Sequence, residues 1–144
     1  MRYLGLDLGS KTLGIAVSDK TGLIATNVGV IRHAEEYERL LEEIEKKVKE
    51  LEIDAIVLGY PKNMNGTVGE KGVLSETFKK KLEERLALPI YLQDERLTTT
   101  SATNALIESG MRREKRKKVV DSVAATIILQ TYLDRREKNE KEHI

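Results

Sequence analysis

The hydrophobic pattern changes period twice within the first sixty residues. Residues 2–8 (RYLGLDL) and 13–18 (LGIAVS) run apolar or alternate between glycine and polar breaks, which predicts two short strands. A third strand, 23–31 (LIATNVGVI), follows the tight-turn signal Lys20-Thr21-Gly22. Three early strands with short connections imply an antiparallel meander. From 35 to 52 the spacing switches to fours and threes. Tyr37, Leu41, Ile44, Val48 and Leu51 recur with Glu and Lys between them, an amphipathic helix. Residues 54–60 (DAIVLGY) are a continuous apolar run, as expected of a strand covered on both faces.

Pro61 through Gly72 is polar and carries Gly66, Gly69 and Gly72, which predicts a loop, either a flap or a long connection. Residues 74–87 follow as a helix that stops near Ala87, because Pro89 disfavours helix just before it. Residues 89–93 (PIYLQ) form a short strand. Thr98 or Thr99 caps a helix over about 100–109, with Gly110 a natural stop. A last helix covers about 115–135, and 136–144 is a charged tail expected to fray. The order βββαβαβαα gives a single domain over 1–135. Right-handed crossovers set strands four and five parallel to strand one, in a mixed five-stranded sheet flanked by helices. The carboxyl ends of strands one, four and five then share one edge, where ligands bind in such sheets.

Within that frame, 144 residues suffice for a core without disulfides or metals. Cysteine is absent, which excludes disulfide frameworks, Cys-zinc sites and thiol nucleophiles. No apolar run approaches membrane-spanning length, so a cytoplasmic protein with no membrane partner is expected. Net charge is only +1, and distribution says more than the total. Acidic residues crowd 35–54, while Arg112, Arg113, Lys115, Arg116, Lys117 and Lys118 form a basic run broken only by Glu114. Such a run is either a solvated helix start or a cationic face for phosphates. With five Tyr, one Phe and no Trp, extensive base stacking is not expected.

Three carboxylates stand out. Asp7 lies in G-L-D-L-G-S at the end of the first strand, flanked by Gly5 and Gly9; the competing reading is a turn aspartate. Glu95, in Q-D-E-R-L-T-T, falls just past strand five on the same sheet edge; a loop ion pair with Arg96 or Lys11 competes, and Asp94 is its rival as ligand. Asp121 falls inside the apolar helix stripe Val120, Val123, Ala124, Ile127, Ile128 and Thr131. A carboxylate there is costly unless paired, hydrogen-bonded or on a metal. Three converging acids with no Cys or clustered His specify a hard cation, Mg²⁺ or Mn²⁺, able to activate water for phosphodiester displacement. His33 and His143 are far apart, lack a nucleophile, and are expected at the surface.

Four ordered blocks, GLDLGSKTLGIAVSD (5–19), VLGYPKNMNGTVG (57–69), DERLTT (94–99) and KRKKVVDSVAATIIL (115–129), together resemble the bacterial YqgF or RuvX family over almost the whole chain. These are relatives of the junction resolvase RuvC in the RNase H-like superfamily. The resemblance implies an RNase H-like nuclease maturing the 5′ end of precursor 16S rRNA. It marks Asp7, Glu95 and Asp121 as the acidic, metal-binding site. Lys11, Arg96, Lys115, Arg116, Lys117 and Lys118 then contact substrate, a structured RNA or a branched DNA. Asn63, Asn65, Gly66 and Thr67 stand in a characteristic loop. Two departures from RuvC are expected: Gly59-Tyr60-Pro61 replaces its strand-four glutamate, and Lys118 and Ala124 flank Asp121 where RuvC has a second helix acid. A Holliday junction resolvase, a non-catalytic RNA-binding assembly factor and an actin-like ATPase are the alternatives. The last fails on length, and either a monomer or a homodimer suits the others.

Overall fold

Strand β1 (Tyr3–Leu8) is buried on both faces along its first four residues, and the sheet is built outward from it. The structure is a computed structural model that describes residues 1–61, 67–94 and 123–136. β2 (Thr12–Ser18) pairs antiparallel with β1, Leu4 opposite Val17 and Asp7 opposite Gly14. β3 (Ala25–Arg32) pairs antiparallel with β2, and a bulge at Val28–Gly29 shifts its register. Gly29, at φ +147°, supplies the conformation the bulge needs. β4 (Ala55–Tyr60) and β5 (Ile90–Asp94) are both parallel to β1, giving the strand order β3-β2-β1-β4-β5. The expected meander and crossovers are all present.

The helices cover the two faces unequally. α1 (Tyr37–Glu50) buries Leu40, Leu41, Ile44 and Val48, and α2 (Glu70–Arg85) buries Phe78 and Leu82. Both pack with Leu4, Leu6, Leu13, Ile15, Ile56, Leu58 and Ile90 in one cluster of large aliphatic side chains. Each such side chain contributes about 1.5–3 kcal/mol on burial. The opposite face is lined by Tyr3, Ala16, Ala55 and Val57 and covered by helical residues 123–136, α3, through Ala125, Ile128, Leu129 and Leu133. β4 alternates between the two clusters, which is why its sequence reads as one apolar run. Arg85 of α2 pairs with Glu45 and Glu38 of α1, at 3.1 and 3.5 Å, on the outside. No helix among the described residues is long and apolar enough to cross a membrane.

Two boundaries differ from the sequence reading in ways that packing explains. α2 starts at Glu70 rather than 74, so Gly72 lies in its first turn and not in the loop. A Cβ on Gly72 would sit 2.9 Å from the Pro61 carbonyl oxygen, so only glycine lets this turn close onto the end of β4. Arg136 belongs to α3 rather than to the tail, because its guanidinium packs over the Tyr3 ring with Cζ 5.1 Å from the centroid. The expected helix over 100–109, the start of the last helix at 115–122 and residues 137–144 lie outside the described residues.

Two turns fix the meander and the first crossover. Asp19 closes the β2–β3 turn, its Oδ1 accepting from the Leu23 and Ile24 amides at 2.9 and 3.1 Å. The Thr21 hydroxyl, then these amides, draw the Asp19 carboxyl down to about 2. Gln130 of α3 clamps the same turn, accepting from the Ala25 amide at 2.8 Å and donating to the Leu23 carbonyl at 2.9 Å. At the other end of the first crossover, α1 stops in a Schellman turn. Ile53 N–H donates to Val48 O at 3.0 Å and Glu52 N–H to Lys49 O at 3.4 Å. Glu52 is thereby held at φ +54°, which glycine adopts without strain. Glu52→Gly is expected to stabilise the protein by about 0.5–1 kcal/mol, read as a higher urea midpoint at unchanged slope.

Candidate active site

Alternation along β1 decides where Asp7 points. Leu4 and Leu6 enter the α1/α2 cluster, so Tyr3, Gly5 and Asp7 share the face that α3 covers. Asp7 is half-buried at the strand's carboxyl end. Its partner across β2 is Gly14, and the parallel register of Leu6 with Leu58 brings Gly59 of β4 level with it. Neither neighbouring strand therefore sets a side chain beside the carboxylate at that level.

α3 comes unusually near β1. A Cβ built on Gly5 would lie 2.7 Å from the Leu129 Cβ and 3.1 Å from the Ala125 carbonyl oxygen. Tyr132 and Arg136 sit over Tyr3, with the two tyrosine rings 5.8 Å apart. The helix thus runs antiparallel to β1, Arg136 over its start and Ala125 over its middle, and its amino end heads toward Asp7. The buried row differs from the sequence stripe. Ala124, Ala125, Ile128, Leu129 and Leu133 are buried, whereas Val123, Ile127 and Thr131 are only half-buried. The small pair Gly5 and Ala125 explains this rotation, since that row permits the closest backbone approach.

The turn between β1 and β2 carries Lys11, which is exposed, and it is held from beneath by His33. This residue is 8% exposed, not at the surface as its sequence context suggested. Its backbone N–H donates to Lys11 O at 2.9 Å, and its Nε2 lies 2.9 Å from Gly9 O. Nδ1 accepts from the Glu35 amide at 3.0 Å, so the ring proton sits on Nε2 and is donated to Gly9. The link from β3 to α1 tucks under the turn because Glu35 takes a left-handed conformation at φ +66°. Both imidazole nitrogens are committed to backbone, which sequence could not show for a lone histidine.

Asp94 closes β5 opposite Tyr60. Ile90 and Leu92 of that strand pack into the α1/α2 cluster, so alternation puts Asp94 on that side, away from the Asp7 face. Gln93, which the sequence reading passed over, takes the Asp7 face instead. It is paired with Gly59, and is buried. Counting alternate residues back from Glu95 in the sequence is the signal that finds it. Glu95, Arg96, Asp121, Lys115, Arg116, Lys117 and Lys118 lie outside the described residues, as do Asn63, Asn65 and Gly66; Thr67 is exposed ahead of α2. Among the described residues no three His, Cys, Asp or Glu side chains cluster as a metal site.

Substitutions at two positions test this arrangement. Gly5→Ala is expected to destabilise by about 1–3 kcal/mol, since Leu129 and the Ala125 carbonyl must both give way; equal denaturation midpoints would contradict the contact. His33→Leu leaves the Glu35 amide and the Gly9 carbonyl unpaired and is expected to cost about 1–3 kcal/mol. His33→Asn should recover part of that loss, because its Oδ1 can accept from the Glu35 amide, and chemical denaturation of the three proteins measures the difference.

The RuvX family model, described as Holliday junction resolvase, matches residues 1–135. A Bacillus subtilis (strain 168) protein named "Putative pre-16S rRNA nuclease" is 52% identical over 135 residues, spanning 93% of this chain and 98% of that protein. A protein of the same name from Clostridium botulinum (strain Eklund 17B / Type B) is 50% identical over 135 residues, spanning 94% of this chain and 98% of its own. Among solved structures, Thermus thermophilus RuvC in complex with a Holliday junction substrate superposes with a TM-score of 0.60 over 96% of both chains. At 14% identity that likeness speaks for the fold, which is RNase H-like. A family match from the first residue to the last turn of α3, with about half of the aligned positions identical to relatives matched over 98% of their length, shows that the chain belongs to the RuvX family.

Proposed function

We propose that this chain is a metal-dependent nuclease that hydrolyses phosphodiester bonds in 5′-end maturation of precursor 16S rRNA. The observation that carries the chemistry is the antiparallel run of α3 over β1, with its amino end directed at Asp7. Asp121 is four residues before Ala125. One more helical turn advances about 6 Å, close to the roughly 6.6 Å from Gly5 to Asp7 along a strand. Continuing the helix back by that turn would bring Asp121 over Asp7. Continuing β5 by one residue would bring Glu95 to the side of Gln93, which is the Asp7 side, and this favours Glu95 over Asp94 as the third acid.

The donor set fits a hard divalent cation. Asp7 offers carboxylate oxygen, the chain has no cysteine, and both nitrogens of the nearby His33 are engaged by backbone. Asp7, Glu95 and Asp121 would hold Mg²⁺ or Mn²⁺. When bound, such an ion supplies a nucleophilic water and offsets the charge that develops on the phosphoryl group. The protein's own part is positional. The strand end and the His33-braced turn fix Asp7, while Lys11, Arg96 and the basic residues 115–118 are the contacts assigned to the phosphate backbone. The RNA substrate follows from the names of the half-identical relatives. The family's description keeps four-way DNA as the second reading.

Cleavage of a precursor 16S 5′ fragment and of a four-way DNA junction, each with Mg²⁺ or Mn²⁺, separates the two. Asp7→Asn, Glu95→Gln and Asp121→Asn are each expected to slow cleavage by about 10²–10³-fold with folding retained. Cleavage of the junction alone would move the substrate to DNA. A wild type that binds RNA but cuts neither would leave a non-catalytic assembly factor, and cleavage in excess chelator would overturn the metal mechanism.

A further inference from the structure

Three of the five tyrosines meet on the Asp7 face of the sheet. Tyr91 of β5 stacks on Tyr132 of α3, with centroids 5.5 Å apart and planes 20° from parallel. Tyr132 in turn rests on Tyr3, and Arg136 covers Tyr3. Burial, then the neighbouring Tyr3 and Tyr91 phenols, pushes the Tyr132 phenol up to about 12, so Tyr132 itself stays uncharged at neutral pH. Tyr91 is 39% exposed in spite of its stacking. Beside it, a cleft of about 220 Å³ opens between β5 and the end of α3, lined by Leu92, Gln93, Tyr132, Arg135 and Arg136. Gln93 is only 4% exposed, and its Nε2 donates to the Asp94 carbonyl at 3.0 Å, so the carboxamide is fixed in orientation. It is level with Gly59, and Gly59 with Asp7, two strand spacings or about 9.5 Å across a floor without side chains.

We infer that this cleft, together with the exposed Tyr91 ring stacked on its Tyr132 wall, is a subsite for one unpaired nucleotide flanking the bond to be cut. Its base stacks on Tyr91 and meets the Gln93 carboxamide at its edge, and Arg135 draws the adjoining phosphate. Each component answers a different part of a nucleotide. An aromatic ring offers a π-face to any base. A carboxamide both donates and accepts, and a guanidinium matches phosphate oxygens. A partner protein docking through apolar contacts finds little here, since two guanidiniums and a carboxamide share the lining. The volume lies below the roughly 300 Å³ of pockets for drug-sized ligands, which suits a flat ring entering from an open side. The inference rests on the nuclease reading only for the subsite's orientation toward Asp7; binding itself does not require cleavage.

The test is binding of a single-stranded RNA 12-mer carrying one 2-aminopurine, in chelator so that no metal-dependent cleavage occurs. Single-stranded DNA of the same sequence and a blunt RNA duplex run in parallel. Stacking should quench the 2-aminopurine. Tyr91→Ala is expected to weaken single-strand binding about tenfold and abolish the quench, while Tyr91→Phe keeps both. Arg135→Ala should weaken binding with the quench retained at saturation. Duplex affinity should stay unchanged throughout. Tighter binding of the RNA than of the DNA strand would assign the subsite to RNA, and equal binding to an unpaired nucleotide of either kind. Wild-type affinity and quench in folded Tyr91→Ala would overturn the subsite, as would equal losses on duplex and single strand. Failure of the nuclease reading is read separately, as absent cleavage by the wild type with metal; Tyr91-dependent binding would survive it.

Discussion

The contact between α3 and β1 at Gly5 is the constraint on which the site depends. On one face of the sheet, leucines and isoleucines hold α1 and α2 at a distance set by their own bulk. On the other face the centre facing α3 is small on β1 and β2, Gly5 and Ala16, with Val57 of β4 level with them, and the helix answers with Ala125. Small residues on both sides let backbone approach backbone. The helix is then located by steric contact with the strand rather than by adaptable side chains. Whatever α3 carries at its amino end is thereby registered against the end of β1, where Asp7 stands.

The turn that follows Asp7 is fixed by a second device. A hairpin turn at a sheet edge is ordinarily mobile, and a carboxylate at its root would share that mobility. Here the β3–α1 link passes beneath it, and three hydrogen bonds join His33 to Gly9, Lys11 and Glu35. The left-handed Glu35 is the local cost of that route, and the hydrogen bonds offset it. Rigidity at Asp7 thus comes from below through the turn and from the side through α3.

The tyrosine stack adds a contrast between number and placement. Five tyrosines in 144 residues are too few to line an extended binding track. Three of them gather at one end of β5 and α3, next to two arginines and a buried glutamine, where a single nucleotide needs no more. The chain belongs to the RuvX family, and metal-dependent hydrolysis is the chemistry proposed at Asp7.

The sequence by itself determined the succession of elements and the direction of the strands, because hydrophobic period and connection length leave few chain paths; their lateral order came from the tertiary structure. Apolar or alternating runs between breaks placed β1 and β2, a continuous apolar run placed β4, the fours and threes placed α1, and crossover connections made β4 and β5 parallel to β1. Asp7 was legible too, as an acid between glycines at a strand end. Tertiary structure alone decided the finer matters, each of which depends on residues far apart in the chain. The α2 boundary moved because Gly72 fits against Pro61, and the α3 stripe rotated because Ala125 meets Gly5, a match no local window contains. His33 was misplaced because a lone histidine carries no periodic signal, and its burial is set by a turn more than twenty residues earlier. Gln93 became visible only when the register set it level with Gly59 and Asp7. Periodicity reports which face of an element is apolar, but not what lies opposite, and a site is made by what lies opposite.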